Sequence, residues 1–220
     1  MRESVTMFRR DGLGAIAGAL ILASLCGCAG KKPLAYKPPD SRLKPDGAVI
    51  ACTASQDFRR NRDIDEALEE PPATSLDAAI QGEIAASGLA EKLVVLPFSA
   101  QPTMAQLRSQ GVTFLIEPVL HVMDLEVPGS EGKQAMNALF RFLNASAEVD
   151  AQTEFSVRMF DLSSNRHVTK TYRGSAKSTV GALGSDMSSA ISRLAGQSLH
   201  LAVHPFWSDL AAFVRAQPTP

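Results

Sequence analysis

Few residues in this chain have the types and spacing that chemistry requires. Cys26, Cys28 and Cys52 are its three thiols, and His200 and His204 are two histidines separated by about one helical turn. That spacing puts two imidazoles on one face of a helix, where they can ligate a metal. No zinc-protease Glu accompanies them, and the proline that follows predicts the end of the helix, so ordinary capping is the alternative. We predict no metal site and no cofactor.

Catalytic motifs are also missing from the sequence. No nucleophile elbow, phosphate loop, dinucleotide fingerprint or paired-carboxylate motif occurs at the spacing that its chemistry needs. We therefore predict that the chain is not an enzyme. Glu117, Glu148, Asp150 and Glu154 share one side of the strands predicted below, a pattern that a solvated sheet face also gives. A hydrolase whose site assembles from distant residues stays open as an alternative.

The amino terminus has the three parts of a signal peptide. Arg9 and Arg10 supply positive charge, and residues 12–25 form an apolar run without a charge. A run of about 14 residues is too short for a hydrocarbon core that needs about 20. Its length fits the h-region of a cleavable leader. We predict that residues 1–27 are removed from the mature protein.

The tetrapeptide Leu25-Cys26-Gly27-Cys28 closes this leader. It resembles the lipobox of bacterial lipoproteins, with Leu25 at −3, Gly27 at −1 and Cys28 as the cysteine that takes a diacylglyceryl group. Cys26 fits the acylated position poorly, because the bulky Leu25 would then stand at −1. An ordinary secretory leader that contains two cysteines is the alternative.

The residues after Cys28 indicate where the chain resides. Ala29 is not the Asp that typically retains enterobacterial lipoproteins in the inner membrane, which favours the outer membrane, facing the periplasm. Residues 28–47 contain four prolines among Lys, Arg and Asp, which predicts an extended tether of about 3.1 Å per residue. Cys52 is then the remaining thiol, so no intramolecular disulfide can form. Its apolar surroundings predict a buried structural cysteine.

Composition limits the classes of protein that need to be considered. Hydrophobic residues make up 45% and charged residues 20% of the chain, as in ordinary globular domains. The formal net charge is −1 and no basic block occurs. Nucleic acid is therefore not expected as a partner.

A single domain is predicted over residues 48–215, followed by a disordered tail at 216–220. Periodicity and turn signals in its first half predict a strand at 48–53, a helix from Thr74 to Gly88, a strand at 92–96 and a short helix at 103–110. The polar segment 55–72 mixes Arg with Asp and Glu, which predicts a solvated loop or a short exposed helix.

Two long strands are predicted at the centre of the domain. The first has Phe114, Ile116, Leu120 and Val122 on its packed side, and the second alternates strictly over residues 147–159. A period of two sustained this long indicates antiparallel strands with one packed and one wet face. A hairpin turn at 161–165 and a partner strand at 166–175 follow. His121 and His167 fall on the polar side, where solvent exposure explains them.

The chain ends in helical structure. A helix is predicted from Ser185 toward His204, and Pro205 is predicted to break it before a last amphipathic turn. The elements together predict an α+β fold, in which a mixed, largely antiparallel sheet has helices packed on one face.

The connection between the two long strands, residues 128–144, has a pattern of its own. Apolar residues recur there at three- and four-residue spacing, which predicts an amphipathic helix. If the helix folds back, it covers the sheet; if it stands clear, it offers an apolar patch to a partner groove or to lipid. The residues of this candidate partner-binding patch are Met136, Leu139, Phe140, Phe142 and Leu143.

The order of these features resembles the ABC-transport auxiliary lipoproteins. The features are a lipobox, a Pro-rich tether, a strand, a loop with Asp and Arg, a helix ending in "SG", the sequence GVTFLIEPVLHV and a strand ending at Asp161. The layout is also similar to the amino-terminal domain of the Tol-system periplasmic protein and to the curli-pore lipoprotein. Cys52 in the first strand and the 128–144 insertion depart from that layout.

Three functions follow as expectations. The leading one is a non-catalytic lipoprotein, anchored to the membrane by its lipid, that binds partner proteins or lipid in an envelope transport or assembly system. The resemblance implies an ABC transporter or a pore complex as the partner. A structural or assembly subunit of an outer-membrane pore or surface organelle is the second, and the dispersed-site hydrolase is the third.

Overall fold

The structure is a computed structural model, and it describes residues 47–97, 102–127, 147–180 and 187–216. These residues belong to one compact unit. The predicted signal peptide, the tether with Cys28, the 128–144 insertion and residues 217–220 lie outside the described residues.

Within the described residues, six strands form one mixed sheet. They are β1 (Ala48–Thr53), β2 (Gln56–Asp57), β3 (Ala90–Leu96), β4 (Phe114–Glu126), β5 (Ala147–Asp161) and β6 (Arg166–Val180). The order is β3-β1-β4-β5-β6, and β2 pairs with β4. β1 is parallel to β3 and β4, whereas β4, β5 and β6 form an antiparallel meander. This confirms the predicted α+β class with a mixed, largely antiparallel sheet.

Three α-helices complete the described fold: α1 (Pro72–Ser87), α2 (Met104–Ser109) and α3 (Met187–Arg215). α1 and α3 pack on one face of the sheet and bury the main core. α2 lies against the opposite face, where its Leu107 contacts a smaller cluster that includes Ala51 and Leu115. Successive side chains of a strand point to opposite faces, so β1 and β4 contribute to both clusters.

Local signals define the helix ends. α1 begins at Pro72 rather than at the predicted Thr74, because a proline is well tolerated in the first turn. It ends as predicted at Gly88, which has a left-handed φ of 66°. Thr103 caps α2 through a capping box with Gln106.

The prediction that 55–72 is a solvated loop or an exposed helix was wrong. The segment holds β2 and a short 3-10 helix, Asp63–Glu66. Ile64 and Leu68 are buried in the main core, and Arg59 is 5% exposed. The many charged residues of this segment suggested solvent exposure. In the fold, however, the buried Arg59 cation and its carboxylate partners neutralise one another.

The predicted break at Pro205 was also wrong, since α3 continues through it to Arg215. A proline inside a helix removes one backbone hydrogen bond and strains the preceding turn. Here both sides of the proline are held against the sheet, because Leu199 and Val203 before it and Phe206 after it are fully buried. Burial of the apolar face therefore outweighs the local preference to stop.

α3 approaches the sheet closely at Gly174 in β6. A Cβ atom on Gly174 would lie 2.1 Å from the carbonyl oxygen of Ser198 and 2.5 Å from the nitrogen of Ala202. The cross-strand neighbour of Gly174 is Thr153. The Thr153 and Ser198 hydroxyls are buried and 2.7 Å apart. Ser198 donates to the Ala195 carbonyl, so Thr153 donates to Ser198.

We predict that Gly174→Ala lowers the free energy of unfolding by about 3 kcal/mol, because the added methyl group meets helix backbone that cannot move aside. Chemical denaturation followed by circular dichroism measures the loss. The neighbouring exposed Ser175→Ala is the matched control and should change stability by less than about 0.5 kcal/mol. Equal stability of the two variants would show that the close approach is not rigid.

Candidate binding surface

One side of the antiparallel meander faces away from α1 and α3. We call this surface the open face. α2 lies beside it, and no other helix of the described residues covers it. It includes alternate residues of three strands. Among them are Glu117 and Val122 in β4, Asp150, Gln152, Glu154, Ser156 and Arg158 in β5, and Thr169, Thr171, Arg173, Ser175 and Lys177 in β6.

Opposite charges on neighbouring strands pair across the open face. Glu154 accepts a 2.7 Å hydrogen bond from Arg173, Lys177 lies 3.1 Å from Asp150, and Arg158 lies 3.6 Å from Glu117. Each pair joins residues that are directly opposite in the strand register. These carboxylates, predicted to share a sheet face, are thus matched with cations. Exposed pairs of this kind contribute little stability, so they mainly set the chemical character of the surface.

A β-bulge at His121 shifts the faces of β4. Leu120 pairs with Phe155 and Val122 with Glu154, so His121 is the extra residue. Buried positions therefore change from Phe114, Ile116 and Leu120 to Met123, Leu125 and Val127. The predicted packed position of Val122 was wrong, because the bulge turns its side chain to the open face.

Two hollows adjoin at the bulge. The larger has a volume of about 430 Å³, and the smaller, of about 350 Å³, lies over the open face between β5 and β6. Val122 lines both. The larger hollow is bordered by residues of the loop after β2 and by β4: Phe58, Arg59, Arg60, Asn61, His121, Val122, Met123 and Asp124.

The loop that follows β2 is held by a buried arginine. We call residues 57–62 the Phe58 loop. The Arg59 guanidinium, 1% exposed, donates to both oxygens of Asp57 and both oxygens of Asp65 at 2.8 to 3.2 Å. Two carboxylates thus surround one cation and accept from four of its five N–H donors. Such a cluster is costly to desolvate, so it specifies loop geometry more than it adds stability.

The pKa of Asp57 shows how strongly this arrangement favours the ionised form. Burial alone would raise the pKa of this carboxyl, but hydrogen bonds and charge from Arg59 outweigh burial and lower it. Asp77, in α1, shows the reverse balance. Its carboxylate accepts bonds from Ser55, and burial still raises its pKa above the ordinary value.

The other polar contacts of the loop fix it to β4. The Phe58 backbone N–H donates to the Leu120 carbonyl at 2.9 Å. The Asn61 amide donates to both carboxylate oxygens of Asp124 at 2.8 Å. Phe58, with 64% of its surface exposed, is nevertheless directed to solvent. The loop therefore presents an aromatic side chain from a fixed backbone.

His121 and Ser156 make a hydrogen bond of 2.8 Å on the open face. A serine nucleophile with a histidine base would need hydrogen-bond donors aimed at the oxyanion, such as free backbone N–H groups. Ser156 lies inside β5, which is paired with β4 on one side and β6 on the other. The contact therefore fits a positioning bond for the bulged histidine. His121 is half-buried, so the solvent exposure expected for it is only partial.

The residues predicted as candidates for metal or thiol chemistry, two histidines and one cysteine, lie in helix α3 and strand β1. The His200 and His204 rings lie 6.2 Å apart on the continuous helix α3. Within the described residues, no group of three or more potential ligands lies close enough to hold a metal. Cys52 is fully buried, and burial, with a smaller effect of the Asp77 charge, raises the pKa of its thiol to about 12. That environment suits the predicted structural role.

Two predicted groups of site residues cannot be compared with the structure. Leu25, Gly27 and Cys28, and the patch from Met136 to Leu143, lie outside the described residues. Sequence reasoning missed Phe58, Arg59 and the His121 bulge. The shift of apolar residues from even to odd positions after Leu120 was a readable signal for the bulge. An isolated Phe in a polar segment was a weaker signal for the loop.

Comparison by sequence finds no matching family model and no matching curated protein. Solved structures with a similar arrangement exist. A DUF330 protein from Xanthomonas campestris is 11% identical, with a TM-score of 0.49, over 83% of this chain and 99% of its own. The lipoprotein GNA1162 from Neisseria meningitidis is 9% identical, with a TM-score of 0.38, over 75% and 99%.

PelC from Paraburkholderia phytofirmans, crystallised as a dodecamer, is 13% identical, with a TM-score of 0.38, over 76% of this chain and 93% of its own. At such identities the function of this chain has to be inferred from its own residues. None of the described helices is long and apolar enough to cross a membrane.

We predict that Arg59→Leu lowers the free energy of unfolding by about 2 kcal/mol near neutral pH, because two partly buried carboxylates lose their cation. Denaturant unfolding of the two proteins measures this difference. The matched control is Arg60→Leu, because Arg60 is exposed and pairs with no described residue. It should cost less than about 0.5 kcal/mol.

The difference between wild type and Arg59→Leu should shrink in acid. A carboxyl whose pKa is lowered by folding contributes stability above its unfolded pKa, near 3.8, and loses it as the pH falls through the lowered value. Repeating the unfolding measurement from about pH 6 to about pH 3 tests this sign. A difference that grows in acid would contradict the ion-pair assignment.

Proposed function

We propose that this chain is a non-catalytic, lipid-anchored protein of the bacterial cell envelope that binds a partner through its open face. The observation that carries the proposal is the asymmetry of the sheet. One face is buried under α1 and α3, whereas the other leaves three long strands uncovered by described helices and borders two hollows. Paired charges and hydroxyls give this surface the polar character of a non-obligate interface.

The lipobox at Leu25-Cys26-Gly27-Cys28 supports the anchor, and the Pro-rich residues 28–47 support reach from the membrane. Ala29 after the acylated cysteine supports an outer-membrane location facing the periplasm. An ABC transporter or a pore complex remains the proposed kind of partner. This assignment comes from the order of features along the chain.

The 128–144 patch is proposed as a second contact surface for a partner or lipid. β4 ends at Glu126 and β5 begins at Ala147, so this connection leaves and re-enters the sheet beside the Glu126–Asp150 pair. The neighbouring open face is polar. This polar character supports a partner or lipid, rather than the open face, as the contact of the apolar residues of the connection.

A second candidate, an assembly subunit, is favoured by the edges of the sheet. β3 stands at one end of the strand order, and its Val95 is 53% exposed. An exposed edge strand can pair with a strand of another copy. Stable oligomers of the detergent-solubilised chain in light scattering would favour this candidate over the binding protein.

Acylation is the first test of the anchor. We expect the amino-terminal peptide of the mature chain to carry a diacylglyceryl group on Cys28, measured by mass spectrometry. We expect Cys28→Ser to leave the membrane fraction, because one removed lipid anchor takes away most of the membrane affinity. Cys26→Ser is the matched control and should remain acylated. Membrane retention of an unacylated Cys28→Ser chain would contradict the proposal.

Partner binding is tested by site-specific photocrosslinking of the full-length chain in cells. A benzoylphenylalanine at Thr171, an exposed residue of the open face, should give discrete protein adducts. The control position is Leu201, which is 50% exposed on the opposite, helical side. Adducts at Leu201 but not at Thr171 would place the interface elsewhere.

A further inference from the structure

The Phe58 loop has a feature that the open face alone does not explain. Most large apolar side chains of the described domain are buried, but Phe58 is 64% exposed at the edge of the 430 Å³ hollow. Aromatic residues, Phe among them, are enriched in protein interfaces, so an exposed Phe beside a hollow marks a candidate contact.

Phe58 is presented from a backbone that is already ordered. Its N–H is bonded to Leu120, the next residue is held by Asp57 and Asp65, and Asn61 is bonded to Asp124. Binding therefore costs little additional ordering of this loop. The buried Arg59 cluster fixes the backbone that carries the neighbouring side chains.

The Asp side chain of the Phe58 loop is bonded within the fold, whereas two of its Arg side chains are accessible to a partner. The Phe58 loop contains three Arg and one Asp. Asp57 and Asp65 are engaged by Arg59, and Asp124 is engaged by Asn61. Arg60 is exposed and has no partner among the described residues, and Arg62 is 61% exposed with a single 4.0 Å contact. The accessible charge beside Phe58 is positive.

We propose that the Phe58 loop and its hollow bind an acidic segment of a partner protein, with Phe58 packing on an apolar side chain and Arg60 pairing with a carboxylate. This inference rests on the proposed function as a partner-binding protein. A peptide can place one carboxylate at Arg60. The hollow beside Phe58 is a concave recess of about 430 Å³, which suits a protruding side chain of a protein segment better than a flat lipid surface.

Full-length protein in intact cells provides the test. Benzoylphenylalanine replaces Phe58, a change that keeps an aromatic side chain, and the crosslinked peptide of the partner is sequenced by mass spectrometry. We expect a peptide in which Asp and Glu outnumber Lys and Arg around the crosslink. Arg60→Glu should reduce adduct yield about tenfold, the size of a lost charge-assisted contact of about 1.4 kcal/mol, and Arg60→Lys should retain most of it.

Arg193→Glu is the matched control, because it makes the same charge reversal at an exposed position of α3 and should leave adduct yield unchanged. Adducts with phospholipid alone would overturn the inference, as would a basic crosslinked peptide or equal loss in both charge reversals. Absence of adducts at Phe58 with adducts at Thr171 overturns this inference and leaves the proposed function standing. Absence at both positions overturns both.

Discussion

The packing of α3 on β6 is the constraint on which the rest of this structure depends. Gly174 lets the helix backbone approach the strand to a distance that a Cβ atom would prevent. The Thr153 and Ser198 hydroxyls satisfy each other at the same point. Because an unpaired buried hydroxyl is costly, the pair also fixes the position of the helix along the strand.

The same strand holds the distal half of α3. Arg166 donates to the Phe213 carbonyl at 2.8 Å, and its guanidinium stacks 4.4 Å from the Phe213 ring. Tyr172 and Lys170 both bond to Asp209. Side chains of β6 therefore hold the part of α3 that follows Pro205 against the sheet. One face of the sheet is committed to this helix, and the proposed binding uses the other.

Much of the fold could be predicted because its signals are local and periodic. The alternation in β5, the Gly88 stop and the Thr103 cap each follow from neighbouring residues. The predictions failed where a distant contact outweighed a local preference. Pro205 ought to break a helix, and burial of Val203 and Phe206 against the sheet overrides it. A charged segment around Arg59 ought to be solvated, but ion pairs with Asp57 and Asp65 allow Arg59 to be buried.

The candidate binding surface was less predictable than the fold. Its residues come from β4, β5, β6 and a loop far earlier in the chain, and strand order brings them together only in three dimensions. Alternation predicted a polar side for the sheet but could not locate the hollows, because these depend on where the Phe58 loop meets β4. The apolar stripe near Phe140 had a clear sequence signal, and its position relative to the sheet is outside the described residues.

The bulge at His121 has a consequence for how chains with this fold can vary. Before His121, the residues of β4 that face the main core have even numbers, and after it they have odd numbers. The strand therefore has two halves with different alternation, joined by one extra residue. If a residue were lost or gained at this junction, the alternation of apolar residues would have to change on one side of the bulge only. The same event inside either half would turn buried side chains such as Ile116 or Leu125 toward water. Length variation in this strand should therefore be concentrated at a single position, next to the hollow that it shapes.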